Sequence, residues 1–207
     1  AEADAASLMA DNGNYFRGGD MHYVDQNGDH RIDSKDRVAL GSAAPDFFGG
    51  FYTQFKYKGF ALGAEFSYSK GNMAYNAVRN QLEGMNTLGN QSIAVLNRWS
   101  LDGQVTNMPR VQHNDPYRST SFSERWLEDA SYLRMKSVTL SYSFDKTVLN
   151  FFRSGTLYVS GENLLTATKY LGLDPEFSYS YGETSQGLDY AKMVQPKSVK
   201  FGVNLKF

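Results

Sequence analysis

The last nine residues of the chain alternate without a break between apolar side chains and polar or small ones. The apolar positions are Val199, Phe201, Val203, Leu205 and Phe207. A strict period of two predicts a β-strand with two different faces. At about 3.4 Å per residue and a tilt of about 45°, a strand of this length rises roughly 20 Å, close to the height of the apolar band that a transmembrane barrel presents to lipid.

Residues 51–69 repeat this alternation twice and predict a hairpin. One face of the hairpin carries Phe51, Thr53, Phe55, Tyr57, Phe60, Leu62, Ala64, Phe66 and Tyr68. The other face is polar or small, and Lys58-Gly59 between the strands suits a tight turn in which glycine supplies a positive φ. A soluble sandwich would turn the polar face to water and a barrel would turn it to its lumen, and the alternation is the same in both.

Three more strands are predicted further along the chain, two within residues 132–166 and a terminal one at 197–207. In the first of them, Val138, Leu140, Tyr142 and Phe144 alternate with threonine and serine. The second is expected at 156–161, where Leu157 and Val159 share a face. Together with the hairpin, these segments predict five antiparallel strands.

The connections between the predicted strands alternate between short and long. The segment 70–131 is expected to form a long outer loop with short helices at 73–82 and 93–99 and no strand. A second outer loop is expected at 167–196, and residues 1–50 are expected to be an extracellular loop region. Structureless loops of this length are uncommon in compact soluble domains, whereas large barrels carry long loops on one side and short turns on the other.

The predicted fold class is therefore all-β, with antiparallel strands and long extracellular loops that belong to a transmembrane β-barrel. Five strands cannot close such a barrel, and lipid does not tolerate an open sheet edge. We therefore expect residues 1–207 to be cut from a longer polypeptide, with the missing strands supplied from elsewhere.

The composition excludes some classes of function but does not identify one. The formal net charge is −1, with 21 basic and 22 acidic residues, so no basic surface favours nucleic acid. Cysteine is absent, which excludes disulfides and thiol chemistry within these residues. Aromatic residues make up 14% of the chain, an excess that suits strands and membrane-interface girdles.

One loop has the spacing of a calcium site. Residues 25–36 read DQNGDHRIDSKD, and the oxygen-bearing positions of an EF-type loop are filled by Asp25, Asn27, Asp29, the Arg31 carbonyl, Asp33 and Asp36. Two features depart from the usual pattern: His30 stands where glycine is normal, and Asp36 is shorter than the usual bidentate glutamate. The sequence is equally compatible with structural Ca²⁺ and with an Asx-rich turn that binds no metal.

Five segments in a fixed order make the chain resemble the C-terminal portion of SusC/RagA-type TonB-linked outer-membrane proteins. These segments are GDMHYVDQNGDHRID (19–33), LGSAAPDFFGGFYTQFKYKGFALGAEFSYSKGN (40–72), NRWSLDGQVTNMPR (97–110), SERWLEDASYLRMKSVTLSYSF (123–144) and SGENLLTATKYLGLDPE (160–176). The resemblance covers nearly the whole chain from Gly19 onward, and the order of the segments is more specific than any one of them.

The resemblance implies a barrel of about 22 strands closed around an N-terminal plug. It implies uptake of glycans or oligopeptides across the outer membrane of a Gram-negative bacterium. The partners it implies are the N-terminal plug and barrel strands, a SusD-like surface lipoprotein that lids the barrel, TonB acting through the plug, and outer-membrane lipid. It also implies that Phe201, Val203, Leu205 and Phe207 form a terminal signal that the barrel-insertion machinery reads.

Tyrosines in or beside the last outer loop are candidate contacts for a substrate or a lid. They are Tyr170, Tyr179, Tyr181 and Tyr190. The same residues would also suit an interface girdle or loop packing. Acidic residues at 124, 128 and 129 lie near Arg125 and Arg134, and this proximity predicts an ion-pair network.

No sequence motif indicates an enzyme. The three histidines are far apart, and no zinc-protease, nucleophile-elbow, phosphate-loop or dinucleotide pattern is present. The leading hypothesis is a transport component without catalytic residues. The alternative is a soluble β-rich module, stabilised by calcium, that binds carbohydrate; a glycoside-processing enzyme is a weaker third hypothesis.

Overall fold

A computed structural model describes residues 6–145, 153–177 and 186–207. The chain divides into two compact units. The first, called the loop unit below, comprises Ala1–Gly41 and Tyr75–Leu127. The second, called the sheet unit, comprises Ser42–Ala74 and Glu128–Phe207.

The described residues are mostly strand and loop. In chain order the strands are β1 (Met9–Ala10), β2 (Arg31–Ile32), β3 (Phe47–Tyr57), β4 (Phe60–Lys70), β5 (Met73–Asn76), β6 (Leu127–Asp129), β7 (Tyr132–Asp145), β8 (Ser154–Thr168), β9 (Leu188–Asp189) and β10 (Ser198–Lys206). Helix α1 spans Ala77–Glu83, and single 3-10 turns occupy Ser34–Asp36, Ile93–Asn97 and Glu124–Trp126. Within this part of the chain, no helix is long and apolar enough to cross a membrane.

The sheet unit contains a five-stranded antiparallel sheet with the order β10-β8-β7-β4-β3. These are the five predicted strands, and the prediction of antiparallel β structure is confirmed. The predicted hairpin begins four residues earlier than expected, at Phe47, and turns at Lys58 and Gly59 with φ of 44° and 86°. Both turn residues have positive φ, as a two-residue hairpin turn between twisted strands requires.

The register of the sheet sorts apolar and polar residues into separate rows. One row of directly paired residues crosses all five strands: Phe55, Leu62, Leu140, Val159 and Phe201. A second runs parallel to it: Tyr57, Phe60, Tyr142, Leu157 and Val203. The neighbouring row on the opposite side is Gln54, Gly63, Thr139, Ser160 and Lys200. We call these two sides the apolar face and the polar face of the sheet.

The prediction that residues 70–131 contain no strand is wrong. Strands β5 and β6 lie in this segment and form a three-stranded sheet with β9, in the order β6-β5-β9. Strands of two to four residues are too short to show a period of two, which explains the miss. The helix expected at 73–82 begins later, at Ala77, because the Asn76 side chain caps it by accepting from the Arg79 amide at 2.9 Å.

The loop unit is organised around two small clusters. Met85, Val95 and Met108 form an apolar cluster. Beside this unit's only α-helix among the described residues, Trp126 is 1% exposed and lies under the guanidinium groups of Arg79 and Arg125, at 5.6 and 5.0 Å from the ring. Both arginines reach Glu83, which accepts from Arg79 Nε at 3.0 Å and faces Arg125 Nη2 at 3.4 Å.

Candidate functional site

The apolar face of the sheet is open to its surroundings. Phe201 is 81% exposed, Phe55 68% and Phe60 52%. Aromatic rings pair along this face, with Phe51 and Phe66 stacked at 4.8 Å and Phe60 against Tyr142 at 4.6 Å. A contiguous exposed apolar surface of this kind marks contact with lipid or with another protein.

The polar face carries hydrogen-bonding groups at matching heights on neighbouring strands. Thr139 and Ser160 hydroxyls lie 2.8 Å apart, and the Ser198 hydroxyl donates to Glu162 at 2.9 Å. Cross-strand pairs of this kind stabilise the sheet while leaving polar atoms available to water. The polar face therefore suits contact with water, whereas the apolar face suits an apolar environment.

A β-bulge adds one residue to the polar face of β7. The register shifts between Met135 and Ser137, so that Lys136 is passed over by both neighbouring strands. Leu133 and Met135 before the bulge and Val138 after it therefore all lie on the apolar face, although they differ in parity. A bulge inserts an extra residue and re-aims the side chains beside it. Here it places Lys136 beside Arg134 on the polar side.

These two cations hold a short segment, Asp174–Phe177, which we call the strap. Arg134 donates from Nη2 to Asp174 and lies 3.2 Å from Glu176 through Nη1. Lys136 Nζ donates to both carboxylate oxygens of Glu176, at 2.7 and 2.6 Å. The backbone amides of Glu176 and Gln195 also donate to Asp174, at 2.9 and 3.3 Å.

The inner contact of this network, between Arg134 and Asp174, is more deeply buried than the outer contact, between Lys136 and Glu176. The Arg134 side chain is 3% exposed and the Asp174 side chain 10%, whereas Lys136 and Glu176 are 26% and 27% exposed. Burial by itself raises the pKa of Asp174, but the hydrogen bonds from Arg134 and two backbone amides outweigh it, so the pKa lies below its usual value. The carboxylate is therefore held in its charged form.

The strap forms one wall of a cleft of about 510 Å³. Phe48, Ser67, Ser69 and Tyr132 line it from the sheet, and Pro175, Glu176 and Phe177 line it from the strap. Further lining comes from Asn72, Met73 and Gln186. Aromatic rings with a few hydroxyl and amide groups are typical of sites that bind small or extended ligands.

No family model matches the chain. The chain is 32% identical over 197 residues to the TonB-dependent receptor P3 of Formosa agariphila. This match covers 92% of this chain and 19% of that protein. It is 26% identical over 188 residues to the TonB-dependent receptor SusC of Bacteroides thetaiotaomicron, covering 89% and 17%. Its fold matches the RagAB peptide importer in the closed-closed state with a TM-score of 0.71 and 28% identity, covering 89% of this chain and 21% of that one.

The chain is a C-terminal portion of a SusC/RagA-type TonB-dependent transporter. It spans about a fifth of the length of the relatives that it matches. The resemblance inferred from the sequence is therefore confirmed. The exposed apolar rows and the cleft on the polar face are features of this section of the transporter.

The four candidate tyrosines have different surroundings. Tyr170 is 5% exposed, packs with Ala74 and Ala130, and donates its hydroxyl to Asp189 at 2.6 Å. Burial, together with the carboxylate of Asp189, raises the pKa of Tyr170 above its ordinary range. Its ring is closed to a ligand in this structure, whereas Tyr190 is exposed. Tyr179 and Tyr181 lie outside the described residues.

The calcium-like loop is folded by hydrogen bonds from its own backbone. Asp25 accepts from the amides of Gly28 and His30, at 2.7 and 2.8 Å, and Asp36 accepts from those of Gln26 and Asp33, at 2.9 and 2.8 Å. Among the residues that the structure describes, no three acidic or histidine side chains are placed to hold one metal ion. The loop offers the hard oxygen ligands that calcium prefers, but in this structure these oxygens accept hydrogen bonds from backbone amides. Calcium binding therefore stays a prediction.

His30 occupies the strained position of that loop. Its φ is 62°, in the left-handed region where the usual pattern places glycine. Asn27 and Asp29 stabilise the turn: the Asn27 carbonyl oxygen accepts from the Asp29 amide at 3.0 Å, and Asp29 accepts from the Arg31 amide at 2.9 Å. Asp33 caps the following 3-10 turn by accepting from Lys35.

The terminal strand presents Phe201, Val203 and Leu205 on the apolar face, and Phe207 follows the end of the strand. Phe201 and Phe207 are both 81% exposed, Val203 is exposed, and Leu205 is half-buried. Within the described residues, β10 pairs with β8 along one edge. Recognition of these residues by insertion machinery stays a prediction.

The ion-pair network expected among residues 124–134 has other partners. Arg125 reaches Glu83, and Arg134 reaches Asp174, which is 40 residues away in sequence. Nearby charges of opposite sign drew attention to these arginines, but they did not identify the partners. The strap and the cleft have no signature in the sequence, because their residues are distant along the chain and come together only in the fold.

Proposed function

We propose that the chain forms part of the wall of an outer-membrane importer that takes up glycans or oligopeptides in a Gram-negative bacterium. The observation that carries this proposal is the separation of the two faces. Among the described residues, the apolar residues that the sheet unit buries are Ala74, Ala130 and Tyr170, while most residues in the rows of the apolar face stay exposed. Lipid would cover that face, and the polar face would line a water-filled lumen.

The remaining wall would come from other parts of the same polypeptide. Strands β3 and β10 each pair with one neighbour among the described residues, and open sheet edges are not tolerated in lipid. We propose that strands outside residues 1–207 pair with both edges, in a barrel of about 22 strands around a plug. TonB would act through that plug, which lies outside this section.

The cleft at the polar face would contact cargo, beneath a SusD-like lipoprotein that covers the barrel from outside. Its aromatic rings suit stacking on a sugar ring or packing against a peptide side chain, and its hydroxyl and amide groups suit hydrogen bonds to either. Among the relatives, RagAB is described as a peptide importer. That description supports import as the function and leaves both cargo classes in the proposal.

A pair of adjacent substitutions in the full-length transporter tests the assignment of the faces. Leu140→Lys puts a charge on the apolar face, which costs about 2–4 kcal/mol near the middle of a bilayer. Ser141→Lys puts the same charge on the polar face, where water solvates it. We expect the outer-membrane fraction to lose Leu140→Lys and to retain Ser141→Lys at the wild-type level. Equal recovery of both variants, or wild-type protein in the soluble periplasm, would overturn the proposal.

A further inference from the structure

The strap has no strand partner, and side-chain charges hold it against the polar face. Its inner contact, between Arg134 and Asp174, is buried, and its outer contact, between Lys136 and Glu176, is about three-quarters buried. The two contacts thus differ in how easily water can replace them. Removing one partner of a buried pair leaves an uncompensated charge, whereas a partly exposed pair can be replaced by water at lower cost.

The bulge in β7 supplies the outer contact. Lys136 is the residue that both neighbouring strands pass over, and its ammonium group reaches both oxygens of Glu176. Glu176, Pro175 and Phe177 in turn line the cleft. Lys136 itself is not among the residues that line it.

We propose that Arg134 and Lys136 are positioning residues that hold the strap as a wall of the cleft, and that Lys136 sets how firmly the Glu176 end is held. This inference rests on the proposed function, in which the cleft contacts cargo. The side chains of the strap are then presented to cargo at a fixed place, because β7 fixes both cations. Loosening the outer contact weakens the hold on the cleft wall, while Arg134 keeps its hydrogen bond to Asp174 and its 3.2 Å contact with Glu176.

A buried strap residue can report this motion. Pro175 is buried, and the chain contains no cysteine, so Pro175→Cys supplies one thiol within this section of the full-length transporter. With any cysteines elsewhere replaced, the rate of maleimide labelling measures how often the strap leaves the sheet. We expect Lys136→Gln to raise that rate about tenfold and Lys136→Arg to restore it to near the wild-type value.

Lys200→Gln is the matched control, because Lys200 also pairs with a glutamate on the polar face, Glu162, and forms no ion pair with the strap among the described residues. It should leave the labelling rate of Pro175→Cys unchanged. A charge exchange, Lys136→Glu with Glu176→Lys, should restore slow labelling that either single change loses. Equal labelling rates in wild type and Lys136→Gln would overturn the positioning role, as would acceleration by Lys200→Gln.

Binding measurements separate this inference from the function on which it rests. The probes are a starch hydrolysate and a casein peptide digest, with retained material identified by mass spectrometry. We expect Lys136→Gln and Phe48→Ala both to weaken retention of whichever probe the wild type binds. Faster labelling in Lys136→Gln with unchanged retention in both variants would show that the cleft does not bind cargo. It would overturn the inference as well, because the inference rests on that function. Weaker retention in Phe48→Ala alone would keep the cleft and overturn the role of Lys136.

Discussion

The sheet unit and the loop unit of this chain differ in where their apolar side chains lie. The sheet unit buries few apolar side chains among its described residues and exposes rows of aromatic and aliphatic ones. The loop unit has small apolar clusters and also buries Glu83 and Gln112. Under the proposed function, lipid covers the apolar face, so the sheet needs no apolar core of its own. The loop unit holds most of the buried apolar residues that the structure describes, and it combines them with paired charges and capped turns.

The largest expected effect is the loss of Glu83 in the loop unit. Glu83→Ala leaves Arg79 and Arg125 without their shared carboxylate over the buried Trp126 ring. Removing one partner of a buried ion pair leaves a charge uncompensated. We therefore expect the free energy of unfolding of the loop unit to fall by about 3 kcal/mol. Hydrogen exchange across residues 77–126 of the full-length transporter measures it.

The matched change in the sheet unit is Glu162→Ala. Glu162 pairs with Lys200 on the open polar face, where water replaces the lost contact. Its exchange rates should match those of the wild type. Equal effects of the Glu83 and Glu162 substitutions would show that the ion pairs of the two units contribute equally.

The next effect concerns the buried contact of the strap, where the sheet unit uses charge as the loop unit does. Asp174→Asn removes a carboxylate that accepts from Arg134 and two amides, and we expect a loss of about 2 kcal/mol in strap stability at neutral pH. The pKa of Asp174 is lowered in the folded state, so this stabilisation is present above the unfolded pKa of about 3.9 and is lost as the pH falls through the folded value.

The measurement is hydrogen exchange of residues 170–177 at neutral pH and at about pH 3, below the ordinary pKa of aspartate. Rates are corrected for the intrinsic dependence of exchange on pH. The gap between wild type and Asp174→Asn should narrow in acid. A gap of the same size at both pH values would show that the carboxylate charge does not hold the strap.

The smallest expected effect lies in the calcium-like loop. His30→Gly relieves a left-handed residue, which we expect to stabilise the loop by about 1 kcal/mol, and it restores the usual loop pattern. Calorimetric titration with Ca²⁺ should give one binding event in the wild type and tighter binding in His30→Gly. Asp25→Ala should abolish the heat, and a titration without heat in both wild type and His30→Gly would exclude the calcium site.

Much of the sheet could be predicted because its pattern is local. Leu140 and Tyr142 alternate with threonine and serine, and this alternation does not depend on the neighbouring strands. The strand can therefore be predicted from the local sequence. The bulge was not predicted, because the change of parity between Met135 and Val138 requires an extra residue without showing which one. The short strands β5, β6 and β9 were missed since two to four residues carry no period.

The candidate site depended far less on local pattern. Arg134 and Asp174 are 40 residues apart and meet because β7 and the segment after β8 share an end of the sheet. Tyr170 looks like a ligand-stacking residue in sequence, yet in the fold it packs under Phe177 and bonds to Asp189. A side chain's role follows from what surrounds it, and those surroundings come from distant parts of the chain.

By itself, the sequence determined the antiparallel strands, their two faces, the alternation of short and long connections, and the resemblance to the transporter family. These features rest on periodicity and on the order of segments, which are properties of one dimension. The tertiary structure alone decided the register that joins apolar residues into rows, the bulge that adds Lys136 to the polar face, and the strap that closes one side of the cleft. Each of these depends on pairing between residues far apart in sequence, and hydrogen-bond geometry and burial select such pairs only once the chain has folded.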